Sequence, residues 1–366
     1  MCAYIGDEAM KRWFVLLLLA VLVWPVYADE ADEEAEDTVG DVLTVLTYDS
    51  FVLDDDVRAL FEEQTGITLR IVRLSDAGAM VNQAILTRDN PLGDVLYGVD
   101  NTFLSRALNA DLFAPYEAAG LDAIPEEFRL DDGEFRVTPV TFGDVCLNYD
   151  VAYFEENELP VPETLADLTD EAYRGLLVAL NPATSSPGLA FLMATIAEFG
   201  EDDDYTYLDF WADLAANDAL IVPGWSAAYF GEFTATSDEG EYPLVVSYAS
   251  SPPAEVLFND LEIEDAPTAS IIADGMCFRQ VEFAAILANS PRYEAASAFI
   301  DFLIDLPFQG SLPFSNFVFP VNIEAELPEL FTEMVTLPEN PATLPFDEID
   351  ANRERWIQEW TETVLR

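Results

Sequence analysis

Short apolar runs alternate with helical patterns along the chain after residue 40, and this alternation predicts an α/β fold. The strands predicted in the first part of the chain are residues 43–47, 67–74 and 94–99. Between the first two, Val57 and Phe61 lie at helical spacing, and Gly66 is a suitable end for that helix. Strands that alternate with helices pair in parallel through right-handed crossovers, so we expect a parallel sheet here.

Polar residues follow these predicted strands at the ends where a parallel sheet binds its ligands. Tyr48 follows the first strand, and Asp76 and Ala77 follow the second. Asp100 follows the third strand. Each position taken alone is most simply a polar turn or a helix cap. Because the carboxyl ends of parallel strands share one edge of the sheet, three such ends in line predict a ligand-binding rim.

The second part of the chain repeats this pattern with serine-rich strand ends. A strand at residues 177–180 leads through Ser185 and Ser186 into an apolar helix. Free N–H groups at the start of a helix suit a phosphate or carboxylate, although simple capping explains the same serines equally well. Another strand, residues 244–248, ends in the candidates Tyr248, Ala249, Ser250 and Ser251.

The chain after Met276 is expected to return to the first group of strands, and this predicts two lobes. Lobe 1 would comprise residues 41–143 and 274–366, and lobe 2 would comprise residues 144–273. Strands that cross between the lobes would form a hinge. The ligand cleft would lie between the lobes, which would close around the ligand by hinge motion.

The amino terminus has the pattern of a secretion signal. Lys11 and Arg12 precede an apolar run of about 14 residues, which is shorter than the ~20 residues that span a bilayer as a helix. We expect a signal peptide over residues 1–28 and an acidic flexible tether over residues 29–40. The mature protein would then be periplasmic or otherwise extracytoplasmic. The alternative is an uncleaved leader that tethers the protein to the membrane.

The composition narrows the possible functions. The 366 residues include 70 Asp or Glu, 15 Lys or Arg and no His, which gives a formal charge of -55. A nucleic-acid partner is therefore not expected, because phosphate binding needs clustered cations, whereas the field of this chain attracts cations. Without His the chain cannot form a Ser-His-Asp relay. The apolar fraction of 51% is sufficient to build a folded core.

Removal of the leader would leave two cysteines, Cys146 and Cys277. An even pair in an oxidising compartment favours a disulfide. Two buried free thiols, or one reactive nucleophile, are the alternatives.

Several segments resemble the thiamine-binding proteins of bacterial ABC importers, which belong to the type 2 periplasmic binding protein superfamily. The segments that carry the resemblance are residues 46–51, 98–101, 184–188, 224–229, 247–252, 319–321 and 355–360. The resemblance covers nearly all of the exported chain. It implies an α/β fold with two lobes, a hinge of crossing strands and an interlobe ligand cleft.

Carried over by position, the resemblance implies ligand contacts from Asp76, Ala77, Ser185, Ser186, Trp225, Tyr248, Ala249, Ser250 and Ser251. The rings of Trp225 and Tyr248 suit a flat cation such as thiamine, and Tyr48 would add a third aromatic face. Two positions depart from the family. Phe317 stands where a tryptophan commonly lines the site, and Ala254 stands where the family has a tyrosine.

The resemblance further implies a monomeric receptor that needs no cofactor. It would capture thiamine or thiamine phosphates and deliver them to a membrane permease driven by an ATPase. A polyamine receptor is an alternative because of the acidic and aromatic residues, and a ferric-ion receptor is less favoured without His. An enzyme similar to thiaminase I would need a cleft thiolate, for which Cys146 is the candidate.

Self-repulsion at a charge of -55 leads to the first testable prediction. We expect the melting temperature to fall as ionic strength is lowered, because fewer counterions then screen the like charges. Thermal unfolding of the leader-free protein at low and high salt would measure this effect. An unchanged melting temperature would contradict the prediction.

Overall fold

A computed structural model describes residues 42–131, 133–258 and 265–366. The predicted signal peptide and tether, residues 1–28 and 29–40, lie outside the described residues. The strands form one mixed sheet. They are β1 (Val42–Thr47), β2 (Thr68–Arg73), β3 (Val95–Asp100), β4 (Phe113–Ala114), β5 (Thr138–Asp150), β6 (Leu177–Leu180), β7 (Leu220–Val222), β8 (Leu244–Tyr248), β9 (Thr268–Ile271), β10 (Phe278–Leu287) and β11 (Phe319–Pro320).

Helices cover the sheet and connect its strands. They are α1 (Asp55–Thr65), α2 (Ala77–Leu86), α3 (Leu104–Asn109), α4 (Val151–Glu156), α5 (Ser186–Phe199), α6 (Tyr207–Ala216), α7 (Trp225–Ala227), α8 (Pro252–Phe258), α9 (Tyr293–Leu303), α10 (Leu306–Gln309), α11 (Leu312–Ser315), α12 (Glu329–Met334) and α13 (Phe346–Val364). Short 3-10 turns cover Leu121–Ala123, Glu126–Phe128, Leu165–Thr169 and Glu171–Tyr173, and a π-helical turn covers Ala228–Glu232.

Local sequence signals account for the first elements. The side chain of Asp54 accepts hydrogen bonds from the first N–H groups of α1, and Gly66 ends the helix in the left-handed conformation at φ 70°. β1 pairs in parallel with β2 and β3, with Val45 opposite Ile71 and Val95. The prediction of a parallel strand–helix–strand arrangement in this region is confirmed.

The strand order of the sheet is β2-β1-β3-β10-β5-β8-β6-β7. The long strands β10 and β5 join its two parallel groups. β10 pairs antiparallel with β3 and with β5, and β5 pairs antiparallel with β8. We call β1–β3 the first half of the sheet and β6–β8 the second half. The predicted fold class, an α/β fold with crossing strands, is confirmed. The lobe boundaries at residues 143/144 and 273/274 stay predictions, and the first of them falls inside β5.

The carboxyl-terminal helix α13 packs against α6 and α3, which lie beside different halves of the sheet. Trp360 is fully buried and meets the ring of Trp211 on α6 edge to face at 5.4 Å. Arg353 Nη1 donates a hydrogen bond to Ser105 Oγ on α3 at 2.8 Å. Aromatic burial of this kind supplies much of the packing energy of a core.

The described residues contain no helix that combines the length and the apolar character required to cross a membrane.

The predicted disulfide is present. Cys146 on β5 is bonded to Cys277, which directly precedes β10, and the two Cα atoms are 4.3 Å apart. Both cysteines are fully buried and pack against Ala249. The bond therefore joins the two crossing strands in addition to their hydrogen bonds.

Loss of this bond should destabilise the protein markedly. For a loop closed by residues 131 positions apart, chain entropy predicts a loss of about 4–5 kcal/mol of unfolding free energy. Urea unfolding of the wild type and of the double variant Cys146→Ala, Cys277→Ala would measure it. Thiol titration of the unfolded, unreduced, leader-free protein should find no free thiol; two free thiols would contradict the assignment.

Candidate functional site

A cavity of about 580 Å³ lies where the strand ends of both halves of the sheet meet. Its walls come from the residues after β1 and β8, from the first turns of α2, α5 and α7, and from residues 314–318. Of the predicted rim of carboxyl strand ends, Tyr48, Asp76 and Ala77 line this cavity, whereas Asp100 does not. Among the described residues that line the cavity, none is Lys or Arg.

Most of the predicted site residues lie in the cavity wall. Those that line it are Tyr48, Asp76, Ala77, Ser186, Trp225, Tyr248, Ser251 and Phe317. The others lie behind the wall. Ser185 Oγ accepts from Gly188 N at 3.3 Å as the cap of α5, Ala249 packs on the disulfide, and Ser250 Oγ donates to the carbonyl oxygen of Phe317 at 2.6 Å. The geometry gives these three residues supporting positions, and their contact with a ligand stays a prediction.

Asp76 connects the two halves across the cavity. Its Oδ1 accepts from Ser186 N at 3.0 Å, and its Oδ2 accepts from Trp225 N at 2.9 Å. It makes no side-chain bond to its own helix α2, so the simple cap considered from the sequence is not observed. Burial raises the pKa of Asp76, although the two N–H donors oppose that shift. A Cβ at Gly224 would meet Asp76 Oδ2 at 2.8 Å, so this close approach requires glycine.

Trp225 belongs to a cluster of rings on one wall. Its ring stacks on Tyr229 at 4.8 Å and meets Phe230 edge to face at 5.3 Å. The indole N–H donates to Ser247 Oγ at 2.9 Å, which fixes the orientation of the ring. Tyr248 lies 6.5 Å from Trp225, measured between ring centroids. A flat ligand in this cavity would meet preoriented aromatic surfaces.

Two glycines allow Tyr48 and Tyr248, which line the cavity, to pack closely against the strands. Tyr48 lies against Gly98, whose φ of 100° is unfavourable for other residues and whose Cβ position would overlap the tyrosine ring. Tyr248 covers Gly143 on β5 in the same way, at 3.3 Å from its Cβ position. Tyr248 is further held by its hydroxyl, which donates to Gln280 Oε1 at 2.7 Å.

Phe317 replaces the tryptophan expected from the family resemblance, and its backbone is unusual. Its φ of 53° lies in the left-handed region, which costs a non-glycine residue ~1 kcal/mol. The hydrogen bond from Ser250 Oγ to its carbonyl oxygen helps to hold this conformation. The second departure from the family, Ala254, also lines the cavity and leaves it wider than a tyrosine would.

Glu282 in the cavity wall was not found from the sequence. It lies in the middle of β10, between Val281 and Phe283, and is 7% exposed. Its Oε2 accepts from Thr141 Oγ1 at 2.7 Å and from Tyr48 OH at 3.4 Å. Burial raises its pKa to about 7. An acid within an apolar strand is the signal that the sequence offers, and the predicted rim of strand ends does not include it.

A second buried acid lies beside Glu282. Asp100 on β3 is directly opposite Glu282 on β10 and has no exposed surface. Its Oδ1 accepts from Thr102 N and Thr102 Oγ1 at 2.6 and 2.5 Å, while its buried Oδ2 has no hydrogen-bond partner among the described residues. Burial raises the pKa of Asp100 to about 6, and the charge of Asp76 acts in the same direction.

The sequence profile of the bacterial extracellular solute-binding proteins matches residues 90–352. The chain belongs to this family. Ligand sites are preferentially concave and lined by apolar and aromatic groups, so the cavity between the two halves of the sheet is the candidate site.

Relatives of this solute-binding protein match over its whole length. A protein of Escherichia coli K12 named thiamine-binding periplasmic protein is 32% identical over 98% of this chain and 100% of its own length. A protein of the same name from Salmonella typhimurium LT2 is 29% identical over 98% and 100% of the two chains. The solved structure of a periplasmic thiamin binding protein superimposes with a TM-score of 0.78 at 30% identity, covering 89% of this chain and 96% of that one.

Aromatic rings and acidic side chains line the cavity. Four carboxylates line it, from Asp49, Asp54, Asp76 and Glu282. In the described residues no three His, Cys, Asp or Glu side chains cluster so as to hold a metal ion. Cys146, the thiol considered for an enzyme, is bonded to Cys277 and does not line the cavity.

The buried state of Glu282 should lower the stability of the ligand-free protein at alkaline pH. Its folded-state pKa of about 7 lies above the ordinary value of 4.5, so folding favours the neutral form and stability falls as the pH rises through 7. Glu282→Gln mimics the neutral form. We expect it to raise the unfolding free energy at pH 8 by on the order of 1–3 kcal/mol and to have little effect at pH 5.

Urea unfolding at both pH values would test this expectation. Glu294→Gln is the matched control, because it removes one negative charge from an exposed position on α9 that does not line the cavity. Equal stability changes for the two variants at pH 8 would show that the effect comes from net charge and not from the buried site.

Proposed function

We propose that this solute-binding protein captures thiamine outside the cytoplasm and delivers it to a membrane permease driven by an ATPase. The observation that supports this most directly is the cavity, which combines aromatic walls with carboxylates and has no Lys or Arg among the described residues that line it. Full-length relatives that carry the name thiamine-binding periplasmic protein support the same ligand. The protein acts as a monomeric receptor without a cofactor and catalyses no reaction.

The walls match the chemistry of thiamine. Thiamine carries a permanent positive charge on its thiazolium ring and has a flat aminopyrimidine ring. Each ring that meets Trp225 or Tyr248 face on gains ~0.5–2 kcal/mol from stacking or cation–π attraction. Glu282, with 7% exposure, adds negative charge where water is largely excluded, and a charge acts more strongly there than in bulk solvent.

Binding of thiamine phosphates stays a prediction, and it depends on whether a phosphate finds free N–H donors in the cavity. The N–H group of Ser186, at the start of α5, and that of Trp225, at the start of α7, already donate to Asp76. A ligand phosphate must therefore displace the Asp76 carboxylate or use other donors. Export through the predicted leader, and the alternative of a tether to the membrane, also remain proposals.

A polyamine is the second candidate ligand. The observation that favours it is the set of four carboxylates among the described lining residues. Polyamines carry several separated charges and no ring. They would therefore use the acids of the cavity and gain less from its aromatic walls.

Calorimetric titration of the leader-free protein separates these ligands. The ligands to compare are thiamine, its monophosphate, its diphosphate and spermidine, at moderate salt. We expect tight binding of thiamine and at least a tenfold loss of affinity in Trp225→Ala, in line with the ~0.5–2 kcal/mol of a cation–π contact and the ring area lost with it.

Tyr293→Ala is the control, because it removes an exposed aromatic ring on α9 that does not line the cavity. It should bind thiamine as the wild type does. Heat from spermidine with none from the thiamine forms would overturn the ligand assignment in favour of a polyamine. Equal losses in Trp225→Ala and Tyr293→Ala would reject the aromatic wall as the binding surface.

A further inference from the structure

Glu282 has an oxygen that the protein itself does not satisfy. Oε2 accepts from Thr141 and Tyr48, whereas Oε1 has no hydrogen-bond partner among the described residues. The side chain lines the cavity and is 7% exposed. This oxygen is not fully buried, and the side chain lines the cavity, so a ligand can supply the partner that Oε1 lacks.

The described residues around Glu282 provide no positive charge. The side chains that act on it are Tyr48 after β1, Tyr97 and Asp100 on β3, Thr141 on β5, Tyr248 on β8 and Asp76 before α2. All of them are neutral or acidic. The cation on the same strand, Arg279, is committed to Asp144 through two bonds of 2.6 and 2.9 Å.

Two buried acids that face each other across paired strands cannot both ionise easily. Asp100 and Glu282 are directly opposite on β3 and β10, and the negative charge of one raises the proton affinity of the other. The ligand-free site therefore retains a proton near neutral pH. A positive charge placed in the cavity would reverse this balance, because it favours the ionised carboxylate.

We propose that Glu282 is the anionic partner of the ligand's positive charge and that its ionisation couples ligand binding to the release of a proton. This inference rests on the proposed function, because thiamine supplies the permanent charge. The balance is simple: the neutral carboxyl group of Glu282 loses one proton to the solvent, and the carboxylate formed pairs with the cation. No covalent bond to the ligand forms or breaks.

Proton coupling has a definite thermodynamic signature. With a free-state pKa of about 7, affinity should be highest above pH 7. It should fall by about tenfold per pH unit below pH 7, which amounts to about thirtyfold between pH 8 and pH 5.5. At pH 7, titration with thiamine in two buffers of different ionisation heat should report about half a proton released per ligand bound.

The variant Glu282→Gln keeps the size and the acceptor of the side chain but cannot ionise. We expect its affinity for thiamine at pH 8 to fall at least tenfold and its proton release to vanish. The surface control Glu294→Gln should follow the wild type at every pH. Any titration of thiamine itself is common to all the proteins, so differences between them belong to the protein.

Asp100→Asn is a second variant that leaves Glu282 in place. Removal of the facing charge should move the midpoint of the pH dependence to a lower pH while preserving the release of a proton. Together with the proton count of the wild type, this keeps the inference testable should Glu282→Gln fold poorly.

The outcomes separate this inference from the proposed function. Wild-type binding of thiamine that is independent of pH and releases no proton would overturn the role of Glu282 and leave the receptor standing. The same holds if Glu282→Gln binds as tightly as Glu294→Gln at pH 8. Failure of the wild type to bind thiamine at any pH would instead reject the proposed function.

Discussion

The antiparallel pairing of β5 with β10 on one side and with β8 on the other determines where the cavity lies. β5 is 13 residues long, and its first part pairs with β10 while its last part pairs with β8. β5 therefore connects the two halves of the sheet. The strand ends of the two halves meet over this crossing, and Gly143, Thr141 and Glu282 form or support the floor there. The disulfide between Cys146 and Cys277 secures the same pair of strands.

The buried acids of β3, β5 and β10 differ in whether an arginine pairs with them. Asp144 on β5 is fully buried and pairs with Arg279 through both carboxylate oxygens, which satisfies the acid within the fold. Asp100 and Glu282 are also buried, yet no arginine reaches them among the described residues. The fold thus neutralises Asp144, whereas Glu282 in the cavity wall and Asp100 behind it have no arginine partner among the described residues. Buried acids without a cationic partner lower the folding stability.

The elements and much of the site could be predicted from local sequence signals. Asp54 and Gly66 mark the ends of α1 by their own chemistry, Tyr48 follows β1, and Tyr248 ends β8, as expected. Trp225 was predicted from the family resemblance alone. The prediction failed to find Glu282, because it lies within a strand and its importance depends on the neighbour that faces it from β3.

Long-range contacts explain the other differences. The carboxylate of Asp76 accepts from groups 110 and 149 residues further along the chain, and Ser250 contacts the carbonyl of a residue 67 positions away. Local propensity carries no information about such partners. Serines at the start of a helix therefore gave no indication that the donors beside them are already occupied.

The bridge from Asp76 to Ser186 and Trp225 bears on which dissolved anions can compete for the cavity. Inorganic phosphate and sulfate are attracted to free N–H groups at the start of a helix. Here a carboxylate of the protein itself takes that place, at 3.0 and 2.9 Å from the two nitrogens. Dissolved inorganic anions must compete with a tethered acid of high local concentration, so the site is shielded from abundant salts that would otherwise occupy it.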